Sequence, residues 1–345
     1  VDLQVVARSV AKDRPTIDNC IFCHANAGGG DNVKHGDLAM SLANTTKEFD
    51  VHMGTDSVPQ YVCVDCHEVK KDAEGKLLSH GIGGMPYHSV DEGNMKQCDD
   101  CHGSAASRHA GTSVELIINS HTTLACQVCH IPAFARNDET KTEWYWEDAG
   151  DVPRGVETDP VTGLPVYDPK KGSFVWAKNV RPTLRYFDGT WNKAFIGVAD
   201  SYTAAGTPED PVVLGEPVGA YDDGKSMIYP IKKMIGNQIA NTTTKTIMVP
   251  HLFGTAGGPY PYWGKYDWSL AVQDAAAITG QAYDPATDTL GFVDTAKYLT
   301  VNHEVAPKED AFGMDGVCND CHFENKLDWT ELGWDKDPVE GGTRP

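Results

Sequence analysis

No apolar run in these 345 residues approaches the roughly eighteen needed to cross a bilayer, so nothing in the sequence reads as a transmembrane span. A basic-then-apolar leader is also missing, as expected of a mature chain whose signal peptide is already removed, or of a cytoplasmic one. Positive charge is scarce. Lys and Arg number 29 against 49 Asp and Glu, a formal net charge of −20. That excludes nucleic acid, whose affinity rests on many Lys/Arg–phosphate contacts, and argues against an anionic membrane surface. Tryptophan is absent before Trp144, and cysteine is absent from residues 131–317. Hydrophobic residues reach only 40%, while 34 glycines and 20 prolines imply abundant loops. The length suffices for two ordinary domains.

Cysteine occurs in one context only. All ten fall in Cys-x-x-Cys-His: Cys20-Cys23-His24, Cys63-Cys66-His67, Cys98-Cys101-His102, Cys126-Cys129-His130 and Cys318-Cys321-His322. This spacing is that of c-type haem attachment, with two thioethers to the porphyrin and an imidazole on the iron. Paired zinc knuckles would not need a His after every second Cys, and five units pair badly. A redox dithiol would occur once, on a βαβ unit. A disulfide framework would not hold every pair to the same spacing. Five covalent haems c are therefore expected. Their attachment outside the cytoplasm places the chain in the periplasm or the extracellular space.

Four motifs crowd between residues 20 and 130, too little protein to build an ordinary core around each. The expected fold is mostly irregular and α-helical with few short strands, a multihaem cytochrome c fold in which the haems form the core. Three segments are expected. Residues 1–130 form a four-haem module, 131–317 a haem-free, aromatic- and Pro/Gly-rich segment packed on it, and 318–345 the fifth haem and a tail. Within the middle segment "RPTLRYFDGTWNKAFIG" reads as a β-hairpin turning at Asp188-Gly189. "SLAVQDAAAITG" (269–280) reads as a short helix ending at Gly280.

Thirteen histidines leave eight outside the motifs: His35, His52, His80, His88, His109, His121, His251 and His303. Six of these lie within residues 35–121, among the first four motifs. Five irons take up to five distal ligands, so bis-His coordination is expected, with Met as the other common partner. The ligand candidates are the motif His24, His67, His102, His130 and His322 together with His35, His52, His80, His109, His121, His303 and His251. Three histidines are in surplus. They are either ordinary residues or donors to a haem of another subunit, for which His251, His88 and His35 are the candidates.

Several stretches resemble the octahaem tetrathionate reductase family of multihaem c-type cytochromes. They are "ARSVAKDRPTIDNCIFCHANAGGGDNVKHGDL", "DVHMG" (50–54), "ACQVCHIPAFAR" (125–136), "HLFG" (251–254) with "YWGKYDW" (262–268), and "NHEVAPKEDA" (302–311) leading into "CNDCH". They run in the family's order from about residue 7 onward. Family members carry eight haem motifs, and the five here resemble the last five, without the N-terminal three-haem part. The resemblance implies that Lys34 matches the lysine that ligates the family's active-site haem, with Asp31 beside it. That haem is attached by a motif upstream of those present. Gly28, Gly29 and Gly30 would let the backbone pass close to a macrocycle, or would make a flexible loop with a solvated lysine.

Two functions follow. The first is an electron conduit of closely packed, mostly bis-His haems. It would serve redox partner proteins or an extracellular acceptor and could polymerise into a filament with haem ligation across subunits. The second is a periplasmic reductase of sulfur or nitrogen oxyanions (tetrathionate, nitrite, hydroxylamine) at an open or Lys-ligated iron, with Lys34 and Asp31 delivering protons. The conduit is the preferred expectation; as an enzyme the chain would be an oxidoreductase.

Overall fold

A Cys-x-x-Cys-His stretch needs its two sulfurs and its imidazole on one side of the chain. Positions i, i+3 and i+4 of a helix meet that need within a single turn. The computed structural model describes residues 15–26, 29–34, 36–75, 77–82, 95–193, 201–255, 258–314, 318–324 and 326–344. Short helices come first: α1 (Ile17–His24), α2 (Asp31–Lys34), α3 (Cys63–Cys66), α4 (Cys98–His102), α5 (Ala105–His109), α6 (Glu115–Ser120) and α7 (Cys126–His130). Four motifs occupy α1, α3, α4 and α7, and the fifth opens with a 3-10 turn, Cys318–Asp320. The His67 and His322 N–H groups donate to the carbonyls of Cys63 and Cys318, at 2.8 and 2.9 Å, closing the turn that carries both sulfurs. Residues between the cysteines cap these turns. Asp65 accepts from the Val62 N–H at 2.8 Å, and Asp100 from the Gln97 N–H at 2.7 Å.

Downstream the chain builds a sheet, not the mostly irregular segment expected. Strands β1 (Val69–Lys71) and β2 (Leu77–Ile82) form a small antiparallel pair. The main sheet comprises β3 (Thr140–Tyr145), β4 (Glu157–Thr158), β5 (Pro165–Asp168), β6 (Gly172–Ala177), β7 (Thr183–Phe187), β8 (Trp191–Lys193), β9 (Val212–Pro217), β10 (Met227–Asn241), β11 (Thr246–Ile247) and β12 (Leu290–Thr300). These ten run in the order β4-β5-β6-β3-β10-β12-β9-β8, with β7 and β11 also on β10. The sheet is mixed: β10 is parallel to β3 and β12 to β9, and the other pairs are antiparallel. The expected fold class is corrected accordingly. The physical reason is composition. Glycine and proline read as loop, yet here they punctuate turns or lie within strands, as Pro230 and Gly236 do in β10. Aromatic and β-branched residues between them supply the pleated faces.

The hairpin expected around Asp188-Gly189 turns there, and among its described residues, which exclude 194–197, the two arms pair with other strands. β7 joins β10 and β8 joins β9. Val218 lies between the two arms, accepting from the Asp188 N–H at 2.7 Å and donating to the Thr190 carbonyl at 2.9 Å. The helix read at 269–280 forms as α9 (Trp268–Thr279), preceded by the short α8 (Tyr262–Lys265). Asp267 caps α9 by accepting from the Leu270 N–H, and Gly280 ends it in the left-handed conformation.

Not all of the core is left to haem. Ile239, Met248 and Val272 pack α9 on the sheet, and Val212, Ala240, Ile247 and Val293 form a second cluster. A third cluster draws on all three expected segments, joining Ala125 and Val128 of the fourth motif to Leu184 and Tyr186 of β7 and to Trp329 and Leu332 near the C-terminus. Glu331 fixes that C-terminal turn to the sheet, through Arg185 at 2.7 Å and Lys233 at 2.6 Å. Burial alone would raise the Glu331 carboxyl, but these two cations hold it below its ordinary value.

Candidate haem centres

Among the described residues, four ring pairs each join one motif histidine to one histidine from elsewhere in the chain. His67 faces His303 with ring centres 6.2 Å apart, His102 faces His52 at 6.0 Å, His130 faces His109 at 6.2 Å, and His322 faces His121 at 6.1 Å. Two imidazoles bound on opposite sides of one metal, with metal–nitrogen bonds of about 2.0–2.1 Å, hold their ring centres about 6.3 Å apart. Aromatic rings also pair at such separations without a metal. The regularity here is different: four pairs agree within 0.2 Å, and every pair contains one motif residue. The residues present therefore fit a six-coordinate haem iron at each of the four.

The second nitrogen of several of these rings is already held. His109 Nδ1 donates to the Ala105 carbonyl at 2.7 Å and His121 Nδ1 to the Ile117 carbonyl at 2.9 Å, each one turn back along its own helix. His303 Nδ1 lies 3.2 Å from Asp37 Oδ1, and His322 Nδ1 2.9 Å from Asp337 Oδ1. Such bonds fix the tautomer that leaves Nε2 free to bind metal. Burial pushes His52 down, against the opposing charge of Asp50, and His102 and His303 push it further. Burial also lowers His130, with His109, His102 and His52 adding to it. A lowered pKa keeps an imidazole neutral and able to ligate. His303 goes the other way: burial would lower it, but the Asp37 hydrogen bond and the charges of Asp37, Asp50 and Glu304 more than compensate.

The sulfurs are neighbours in chain order. Cys20 lies beside Cys63, Cys66 within electrostatic range of Cys101, Cys98 beside Cys126, and Cys129 within range of Cys321. Each of the three middle motifs thus turns one cysteine to the motif before it and the other to the motif after it. Burial and then the charge of Cys321 push the Cys129 thiol up to about 12. None of the ten is in a disulfide, and all are exposed or half-buried, so each sulfur is open to attachment.

His24 ends α1. Of the remaining histidines outside the motifs, His35 and His88 lie outside the described residues, and of His80 only the backbone, in β2, is described. His251, also expected as a ligand, has both ring nitrogens engaged within the chain. Nδ1 is 3.1 Å from Asp274 Oδ2, and Nε2 donates to the Phe253 carbonyl at 2.8 Å. Both ring nitrogens therefore face polar partners of the same chain.

The segment carrying Asp31 and Lys34 is not a loose loop. Asp31 Oδ1 accepts from the Met40 N–H at 2.7 Å. Thr140 of β3 donates to the Asn32 carbonyl at 2.9 Å, and Lys232 of β10 donates to the Val33 carbonyl at 2.7 Å. Gly29 and Gly30 both take positive φ, and Gly28 lies outside the described residues. Gly36, at φ +94°, is indispensable: a Cβ there would sit 2.5 Å from Phe134 Cβ. The bare backbone brings Asp37 round to His303. Asp37, Asp337 and Lys232 carry no sequence signal of a role; only the folded chain brings them to these sites.

Paired imidazoles over Cys-x-x-Cys-His turns define a c-type haem protein with several haems. Comparison bears this out. Residues 141–325 match the family described as bacterial cytochrome c. The octaheme cytochrome c from Shewanella oneidensis superposes with a TM-score of 0.75 at 34% identity, over 94% of this chain and 68% of that one. An uncharacterized protein of Archaeoglobus fulgidus is 38% identical over 69 residues, so the match spans 19% of this chain and 22% of that relative. The chain belongs to the bacterial multihaem c-type cytochromes, and its work is redox chemistry and electron transfer.

Proposed function

We propose that the chain carries five haems c, one on each Cys-x-x-Cys-His, and relays electrons along them in sequence order from the first motif to the fifth. The observation that carries this reading is the linkage of sulfurs from motif to motif, which makes successive attachment points neighbours. Bound haem supplies a one-electron ferric–ferrous couple. The residues that would hold the irons are His67 with His303, His102 with His52, His130 with His109, and His322 with His121. Two imidazoles per iron close it to substrate, which suits relay over catalysis. The iron over His24 takes His35, His80 or His88 as its second ligand, in cis or from another copy of the chain. Sedimentation of the holoprotein separates a polymer built on ligation in trans from a monomer complete in itself. Haem of this type is attached outside the cytoplasm, and among the described residues no helix is long and apolar enough to cross a membrane.

Intact mass of denatured protein should show five haem additions, and the ferric protein should be low-spin at the four paired irons. Replacing His303→Ala should leave the haem count unchanged and turn one iron high-spin. Bare polypeptide mass, or an unchanged spin state in that variant, would refute the assignment.

A second reading, reduction of a sulfur or nitrogen oxyanion, is favoured by one observation: the Asp31–Lys34 segment is held in place by Lys232 and Thr140 as a positioned side chain requires. Turnover of tetrathionate, nitrite or hydroxylamine that is lost in Lys34→Met would establish it.

A further inference from the structure

We propose that Asp37 and Asp337 are potential-setting residues, which make the second and fifth haems lower in reduction potential than the fourth. The inference rests on the bis-His reading above. Asp337 is 1% exposed in its side chain and lies 2.9 Å from the Nδ1 of His322. The same carboxylate accepts from the Phe323 and Val339 N–H groups, at 2.7 and 2.9 Å. The carboxylate is thus held between the imidazole and two backbone donors. Asp37 lies 3.2 Å from the Nδ1 of His303, which belongs to a different histidine pair and is not its motif residue. The fourth pair differs. His109 Nδ1 meets a neutral backbone carbonyl, that of Ala105.

An imidazole that donates its Nδ1 proton to a carboxylate gains basicity at Nε2 and donates more charge to its metal. A negative charge one ring away also favours Fe(III) over Fe(II), and does so more strongly in a buried site. Both effects stabilise the oxidised iron and lower the potential. A carbonyl acceptor brings the orientation without the charge. Placement rests on the fold: Asp37 comes from the turn beyond α2, 266 residues from His303, and Asp337 from the C-terminal turn after Trp329, whose ring stacks on His322 at 5.1 Å. The relay then has low steps at its second and fifth positions and a higher one between them.

The test is potentiometric titration of the five-haem protein, followed by optical and low-temperature EPR spectra, for wild type, Asp37→Asn and Asp337→Asn. Asparagine keeps an acceptor oxygen and removes the charge. Each variant should raise the midpoint of one haem, leave the others in place and move the g-values of one low-spin ferric signal. The two variants should move different haems. Variants that stay low-spin with wild-type midpoints and g-values would overturn the proposal. A high-spin wild-type spectrum at these irons would instead overturn the bis-His reading on which it stands. Since Asp337 also holds two backbone N–H groups, Asp37→Asn decides the matter if the C-terminal turn loosens.

Discussion

A single buried lysine shows how the residue scale constrains the whole. Lys232 is 2% exposed, in the middle of β10. Burial pushes its ammonium down to about 7, only partly opposed by Glu304 and Asp37. The unfolded chain keeps that proton up to about pH 10. Between pH 7 and 10 the unfolded state therefore binds more protons than the native one, and stability rises with pH. Below pH 7 the native chain bears the full penalty of a buried charge. Denaturant unfolding at pH 7, 8.5 and 10 should show wild type gaining on Lys232→Met by up to about 1.4 kcal/mol per pH unit. Parallel curves would show that the lysine is not the titrating group.

At the scale of elements, β10 organises the sheet. It pairs with β3, β7, β11 and β12, and its Lys232 and Lys233 reach the Asp31–Lys34 segment and the C-terminal turn. Its weakest point is Gly236, where a Cβ would lie 1.9 Å from the Trp144 carbonyl oxygen across the parallel pairing. Gly236→Ala should push β3 away and lower stability by about 1–3 kcal/mol, the usual cost of overpacking. Urea midpoints measure it, and an unchanged midpoint would mean that β3 can shift freely. The Soret spectrum should hold, because the histidine pairs do not draw on β3.

For the whole molecule, charge decides how partners meet the haem array. A net −20 on 345 residues sets up a field that attracts cations and repels anions over about 10 Å at moderate salt. Reduction of the oxidised holoprotein by a cationic mediator should slow as ionic strength rises, and reduction by an anionic one should accelerate. Stopped-flow traces at the Soret band test both. Identical salt dependence for the two mediators would show that the entry haem lies in a patch of its own charge. A basic redox partner is the corresponding expectation for a protein donor or acceptor.

The chain's own order of residues determined the five Cys-x-x-Cys-His motifs and their class, since each acts within about one helical turn and needs no distant partner. It likewise determined α9, whose caps Asp267 and Gly280 are local. A surplus of histidines was legible, but not which of them face each other. His303 meets His67 and His121 meets His322 because a ten-stranded sheet lies between them in sequence and folds them together in space. The sheet was hidden by its glycines and prolines. Strand pairing depends on partners far along the chain, and no local propensity registers them. For the same reason the contacts of His251 with Asp274 and Phe253 could not be read from the sequence. Asp37 and Asp337 belong to no motif, and the fold sets each against a histidine of a ring pair. Covalent attachment is local chemistry; ligand pairing and the charge around each iron are non-local, and only the tertiary structure decides them.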